Sequence, residues 1–292
     1  MKKVISPDCP DCDRPEDIHH LLVECVRNEA ERWEIFSRFP ILRQVGGCNG
    51  ALSQPLSDEI FFYSRFYKKF GFPGVLACVH GTHVALVRPS EHEERFFNRK
   101  HYHSRNVQII CDSDLNIFNV DATFGGASHD AYIWRQCALN QHVQELHNNG
   151  ENLWLLGDSG YPLRPWLLTP IVNAHPRSPE EHYTNVHCRT RNTVERCIGV
   201  LKARWRCLLV HRVLHYDHHT VAKIINACCV MHNMANRARL AVPELSQTDF
   251  EAERNQQEPH GQPQYGPSES QLLQNGRQQL ATIVQRLWRN RT

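Results

Sequence analysis

The sequence predicts an α/β domain, and three observations carry that expectation. The apolar stretch Leu153-Trp-Leu-Leu156 runs straight into Gly157-Asp158-Ser159-Gly160, so it reads as a short buried strand closed by a turn. Further runs of strand length come before it. A helical stretch over about 129–147 separates them from it, giving the order strand, strand, strand, helix, strand. A buried strand that ends on a carboxylate and then a glycine turn holds that carboxylate at the edge of a sheet, where α/β folds bind ligands. The competing reading is that Asp158 only initiates the turn.

The chain has 292 residues, of which 41% are hydrophobic, enough for one large or two modest domains with a packed core. No apolar run approaches the roughly 18 residues that span a bilayer. Met1-Lys2-Lys3 is followed by too short an apolar stretch for a signal peptide, so the expectation is a protein kept inside the cell. There its 12 cysteines are reduced, buried or metal-bound rather than paired as disulfides. The net charge of +2 says nothing by itself about nucleic acid, although 19 histidines can add positive charge beside phosphate.

Residues 1–45 form the first expected module. Cys9, Cys12, His20 and Cys25 follow the pattern C-x2-C-x7-H-x4-C. Two thiolates two residues apart, with a His and a Cys on a following helical turn, can close a tetrahedron around Zn²⁺; a metal-free helical hairpin is the alternative. Residues 46–70 begin with Gly46-Gly47 and Asn49-Gly50 and read as a junction. The α/β domain is expected over 71–240. Its first strand passes through His80. Val107–Cys111 and Ile117–Val120 form an antiparallel hairpin, and Ser128 is placed to cap the helix that follows.

Between Pro162 and Pro179, five prolines exclude a continuous helix. Helical periodicity resumes near Thr190, where Val194, Ile198, Leu201, Trp205 and Leu208 share a stripe, and returns from about Thr220 to Leu240. Residues 241–275 are polar and read as a disordered linker, and 276–292 as a short terminal helix. No internal repeat is visible.

The second helix of interest carries seven Lys or Arg between Val186 and Arg212 and a single acid, Glu195. Such an acid is ordinarily salt-bridged, and such a basic face is ordinarily solvated. Set beside a rigid Asp158, however, two carboxylates can hold a divalent cation while Arg189, Arg191, Lys202, Arg204 and Arg206 hold a phosphate backbone. Metal-assisted phosphodiester cleavage needs that pairing.

Several ordered motifs resemble the Harbinger-type transposase family, which includes domesticated transposase-derived nucleases. They are His80-Gly-Thr-His83, Asn98-Arg-Lys100, Ser104-Arg-Asn106-Val-Gln108, Cys111-Asp112, Gly125-Gly-Ala-Ser-His-Asp130, Leu156-Gly-Asp-Ser-Gly-Tyr-Pro162, Glu195-Arg and Ala227-Cys-Cys-Val-Met-His-Asn233. The resemblance runs from about Gly71 to Asn236. It implies an RNase H-like fold, a mixed sheet with flanking helices, and a DDE site in which two aspartates and a glutamate hold Mg²⁺ or Mn²⁺ for DNA cleavage.

Asp158 matches the second aspartate and Glu195 the glutamate. The first aspartate's position holds His80, and an imidazole nitrogen suits Mn²⁺ or Zn²⁺ better than Mg²⁺. Asp130 matches a motif position and is the supporting carboxylate, with helix capping as its alternative role. Asp112 and Asp121 are further carboxylates on neighbouring elements.

Separately, residues 6–40 resemble the zinc-knuckle tail of non-LTR retrotransposons. Family members carry a longer helical, DNA-binding region before the catalytic domain, whereas about 70 residues precede it here, so the expectation is a fusion or a truncated transposon remnant; a separate DNA-binding protein is an expected partner. The expected substrate is DNA, with no membrane partner. The expected location is the nucleus, with the cytoplasm second. A catalytically inactive DNA-binding or protein-interacting derivative is the alternative function, and residue 80 discriminates the two.

Overall fold

The computed structural model describes residues 65–255 and 269–291. The expected zinc module over 1–45, with Cys9, Cys12, His20 and Cys25, lies outside the described residues.

The centre of the domain is a five-stranded mixed sheet. It contains β1 (Val75–Ala85), β2 (Ser104–Cys111), β3 (Ile117–Gly125), β4 (Trp154–Leu156) and β5 (Leu167–Leu168), in the order β3-β2-β1-β4-β5. The first three strands form an antiparallel meander, while β4 returns parallel to β1 and β5 parallel to β4. Strands buried on both faces should be apolar without interruption, and β4 is: Trp154 and Leu156 point to one core, Leu153 and Leu155 to the other.

Two helices cover one face, α1 (Asp130–Gln136) and α2 (Ala138–Asn148). The other face carries α3 (Pro179–Arg204), α4 (His218–Arg237) and α6 (Ser270–Arg289), whose apolar side chains share one cluster with the sheet; α5 (Gln247–Arg254) lies between α4 and α6 in the chain. Among the described residues, no helix is long and apolar enough to cross a membrane.

Five boundaries differ from the sequence expectation. The single helix over 129–147 is broken at Cys137, which is extended. Trp134 and Leu139 are five residues apart, about 140° out of phase on a continuous helix, and the break brings both onto the same core. The helix expected from Thr190 begins at Pro179. Its inward stripe uses Tyr183, His187 and Thr190, all fully buried, and the last two are polar residues that hid the periodicity. Pro179, counted among the helix-excluding prolines, is a helix starter in the first turn, where its missing N–H costs nothing.

Residues 65–70, assigned to the junction, are helical, bury Phe66 and tie Arg65 and Lys69 to Asp114. The linker expected over 241–275 is not disordered throughout: Ser246 caps α5, and Glu253 is anchored by Lys202 and the Val210 amide. The terminal helix starts at Ser270 rather than 276, because Glu269 pairs with Arg164 and Arg135 and fixes its beginning.

Candidate active site

Three potential ligands meet at one end of the sheet. His80 lies in β1, opposite Ile109. Asp158 stands two residues beyond the end of β4, which runs beside β1, and Asp130 opens α1. His80 Nδ1 and Asp158 Oδ2 are 3.0 Å apart. One ligand atom from each of His80, Asp130 and Asp158 lies within 4.8 Å of the others. Asp130 and Asp158 are buried, and the His80 side chain is 12% exposed.

The chain around these residues is shaped to bring them together. A Cβ on Gly81 would stand 2.6 Å from Asp130 Oδ1, so only glycine lets that carboxylate reach β1. Asn106 on β2 donates to Asp130 Oδ1 at 2.8 Å and to the Ser128 carbonyl at 2.9 Å. Asp130 therefore turns toward the cluster rather than capping its helix. His129 occupies the cap position without a side-chain bond, so the capping role expected of Ser128 is not realised. Asp158 performs both roles weighed for it. Its Oδ1 accepts the Gly160 amide at 2.8 Å and builds the turn, and its Oδ2 faces His80.

Tyr161 is packed beneath, with a hydroxyl that has no hydrogen-bond partner among the described residues. Burial first, and then the Asp130 and Asp158 charges, hold its phenol well above the ordinary value and hence neutral. Asp112 and Asp121 are elsewhere: Asp112 accepts the Asp114 and Asn116 amides in the β2–β3 turn, and Asp121 accepts from Thr123.

Glu195 lies outside the three-residue cluster but lines the same cleft of about 1140 Å³. Its carboxylate accepts from Arg191 Nη2 at 2.6 Å. Arg191 Nε and Nη1 are buried without an acceptor among the described residues.

The five residues expected to contact DNA are engaged within the protein. Arg189 donates to the Phe70 carbonyl and Arg191 to Glu195. Arg204 donates to the His232 and Leu240 carbonyls, and Arg206 to that of Glu244. Lys202 is only 3% exposed and is not on a solvated face: its Nζ lies 2.7 Å from Glu253 and 3.2 Å from the His83 carbonyl.

A family model described as "DDE superfamily endonuclease" matches residues 79–233, which contain His80, Asp130, Asp158 and Glu195. The chain belongs to this DDE endonuclease family. Among its relatives, the human "Putative nuclease HARBI1" is 34% identical over 218 residues, 72% of this chain and 57% of that protein. The counterpart of the same name from Xenopus laevis is 33% identical over 204 residues, 68% of this chain and 56% of that protein. "Protein ALP1-like" from Arabidopsis thaliana is 27% identical over 191 residues, 61% and 46% of the two chains. The chain spans a little over half the length of the HARBI1 proteins it matches. No solved structure matches it.

The DDE family implies a divalent metal, and the side chains present fit one. Two carboxylates and one imidazole converge in a cleft that also holds a third carboxylate, Glu195. One His80 ring nitrogen and one oxygen each from Asp130 and Asp158 are close enough together to share a single ion. This nitrogen-and-oxygen set favours Mn²⁺ over Mg²⁺.

The sequence singles out His80, Asp130, Asp158 and Glu195 as candidates but assigns no work to Gly81 and Asn106. Their signal was present in the motif residues around them. Glu253 gave no such signal, since it stands in a polar stretch that composition marks as linker.

Proposed function

We propose that this protein is a metal-dependent endonuclease of the DDE type that cleaves DNA phosphodiester bonds. We also read the mixed sheet, with its antiparallel meander and parallel return, as an RNase H-like fold. The convergence of His80, Asp130 and Asp158 at one end of the sheet carries the functional reading. When bound there, a divalent cation supplies Lewis-acid polarisation of a phosphodiester oxygen. His80, Asp130 and Asp158 would hold it. Glu195 stands across the cleft as a further carboxylate, oriented by Arg191.

Arg191 lines the cleft, so a phosphate bound there would meet a guanidinium already fixed by Glu195. Tyr161 and the strands below keep water from the buried side of the carboxylates. DNA as substrate would place the work in the nucleus, with a separate DNA-binding protein supplying target recognition.

One observation favours a second reading, an inactive DNA-binding derivative. His80 replaces the family's first aspartate, and its ring already satisfies one Asp158 oxygen without a metal. Nicking of supercoiled plasmid in Mn²⁺ and in Mg²⁺ separates the two. The endonuclease reading expects wild-type nicking, stronger in Mn²⁺, that Glu195→Gln abolishes. Nicking by His80→Asp alone would establish the inactive derivative.

A further inference from the structure

We propose that the floor of the cleft along Lys202 and Lys100 is the track for a DNA phosphate backbone, and that α5 covers it with Glu253 seated where a phosphate would lie. This rests on the reading of DNA as substrate but goes beyond it, because it assigns a surface and a segment that blocks it.

α5 crosses one wall of the same cleft that holds His80, Asp130, Asp158 and Glu195. Its segment carries four acids, Glu244, Asp249, Glu251 and Glu253. The basic groups beneath are engaged by that segment. Glu253 Oε2 pairs with the buried Lys202 ammonium at 2.7 Å, and Glu253 Oε1 accepts the Val210 amide at 2.6 Å. Asp249 faces His211 at 3.1 Å. Lys100 Nζ donates to the Asn255 carbonyl at 2.6 Å, and Arg206 donates to that of Glu244 at 3.1 Å.

A carboxylate that accepts both an ammonium and a backbone N–H reproduces what a phosphodiester oxygen pair accepts in a nucleic-acid site. Little apolar burial holds the helix down, and Phe250 is 53% exposed. A helix held by ion pairs over a basic floor is displaced by a denser line of negative charge, because many phosphates compete for the same cations.

The test uses the full chain, a short fluorescent DNA duplex and EDTA, so that binding is read without cleavage. Glu253→Gln should bind the duplex about tenfold more tightly than the unaltered protein, since it raises the population of the uncovered state. Adding Lys202→Ala to Glu253→Gln should reverse the gain. Because Glu253→Gln leaves the buried Lys202 without its carboxylate, hydrogen exchange on the unaltered protein provides a second reading. Duplex should speed exchange of the Gln247–Arg254 amides.

Equal affinities, with α5 amides unchanged while duplex is bound, would overturn the cover and leave DNA binding standing. Absence of duplex binding by both proteins at low salt would overturn the track itself. Plasmid nicking is not read here, so the endonuclease reading can fail while the track passes.

Discussion

At the scale of single residues, the candidate metal cluster depends on groups that would not themselves touch the ion. Gly81 is the sharpest case. Gly81→Ala places a methyl inside the Asp130 carboxylate, and overpacking of this kind costs about 1–3 kcal/mol. The expected outcome is a lowered melting temperature together with a Mn²⁺ affinity reduced by tenfold or more, read by calorimetric titration. Asn106→Ala removes the donor that orients Asp130, and losses of such supporting groups lower metal affinity about 10–100-fold. Asp112→Asn should leave Mn²⁺ affinity unchanged while reducing stability, because Asp112 serves only its turn. An outcome with the two aspartates exchanged would remove Asp130 from the site.

Elements show where the sequence was readable and where it was not. β1, the β2–β3 hairpin and β4 were legible because period-two and continuous apolar runs are direct consequences of burial on one or two faces. The start of α3 was hidden because His187 and Thr190 occupy inward positions that pattern reading assigns to apolar residues. Once buried, His187 donates from Nε2 to the Leu168 carbonyl and packs on Phe72 and Tyr183.

Burial, the dominant cause, pulls the His187 pKa down to about 3 from 6.5. The folded protein therefore keeps this ring neutral while the unfolded chain takes up a proton. Stability from His187 is intact above pH 6.5 and falls as pH drops toward 3, by up to about 1.4 kcal/mol per pH unit. Urea titrations between those limits should show a shallower pH slope for His187→Gln than for the unaltered chain. α5 was illegible for a different reason. It is held by ion pairs with distant residues, and no local pattern announces a partner far away in sequence.

At the scale of the whole molecule, α6 belongs to the α/β domain rather than trailing it. Ile283, Val284 and Leu287 join the main core, and Gly276 lets α6 lie against the Arg164 backbone. Glu269, at its beginning, pairs with the buried Arg164. Glu269→Gln should cost about 3 kcal/mol, the lower end for breaking a buried pair, since Glu269 is 20% exposed. A shift of the denaturation midpoint with an unchanged slope is the expected signature, and no shift would make α6 peripheral.

The sheet order has one more consequence, which concerns time. β1, β2 and β3 are neighbours in sequence, and their local pairing favours rapid formation. β4 must come back across the whole meander and two helices before Val75 meets Trp154. Asp158 arrives just behind that strand. During synthesis, then, a chain emerging from the ribosome carries His80 and Asp130 well before Asp158 joins them, and the candidate metal cluster is assembled only once β4 has paired with β1.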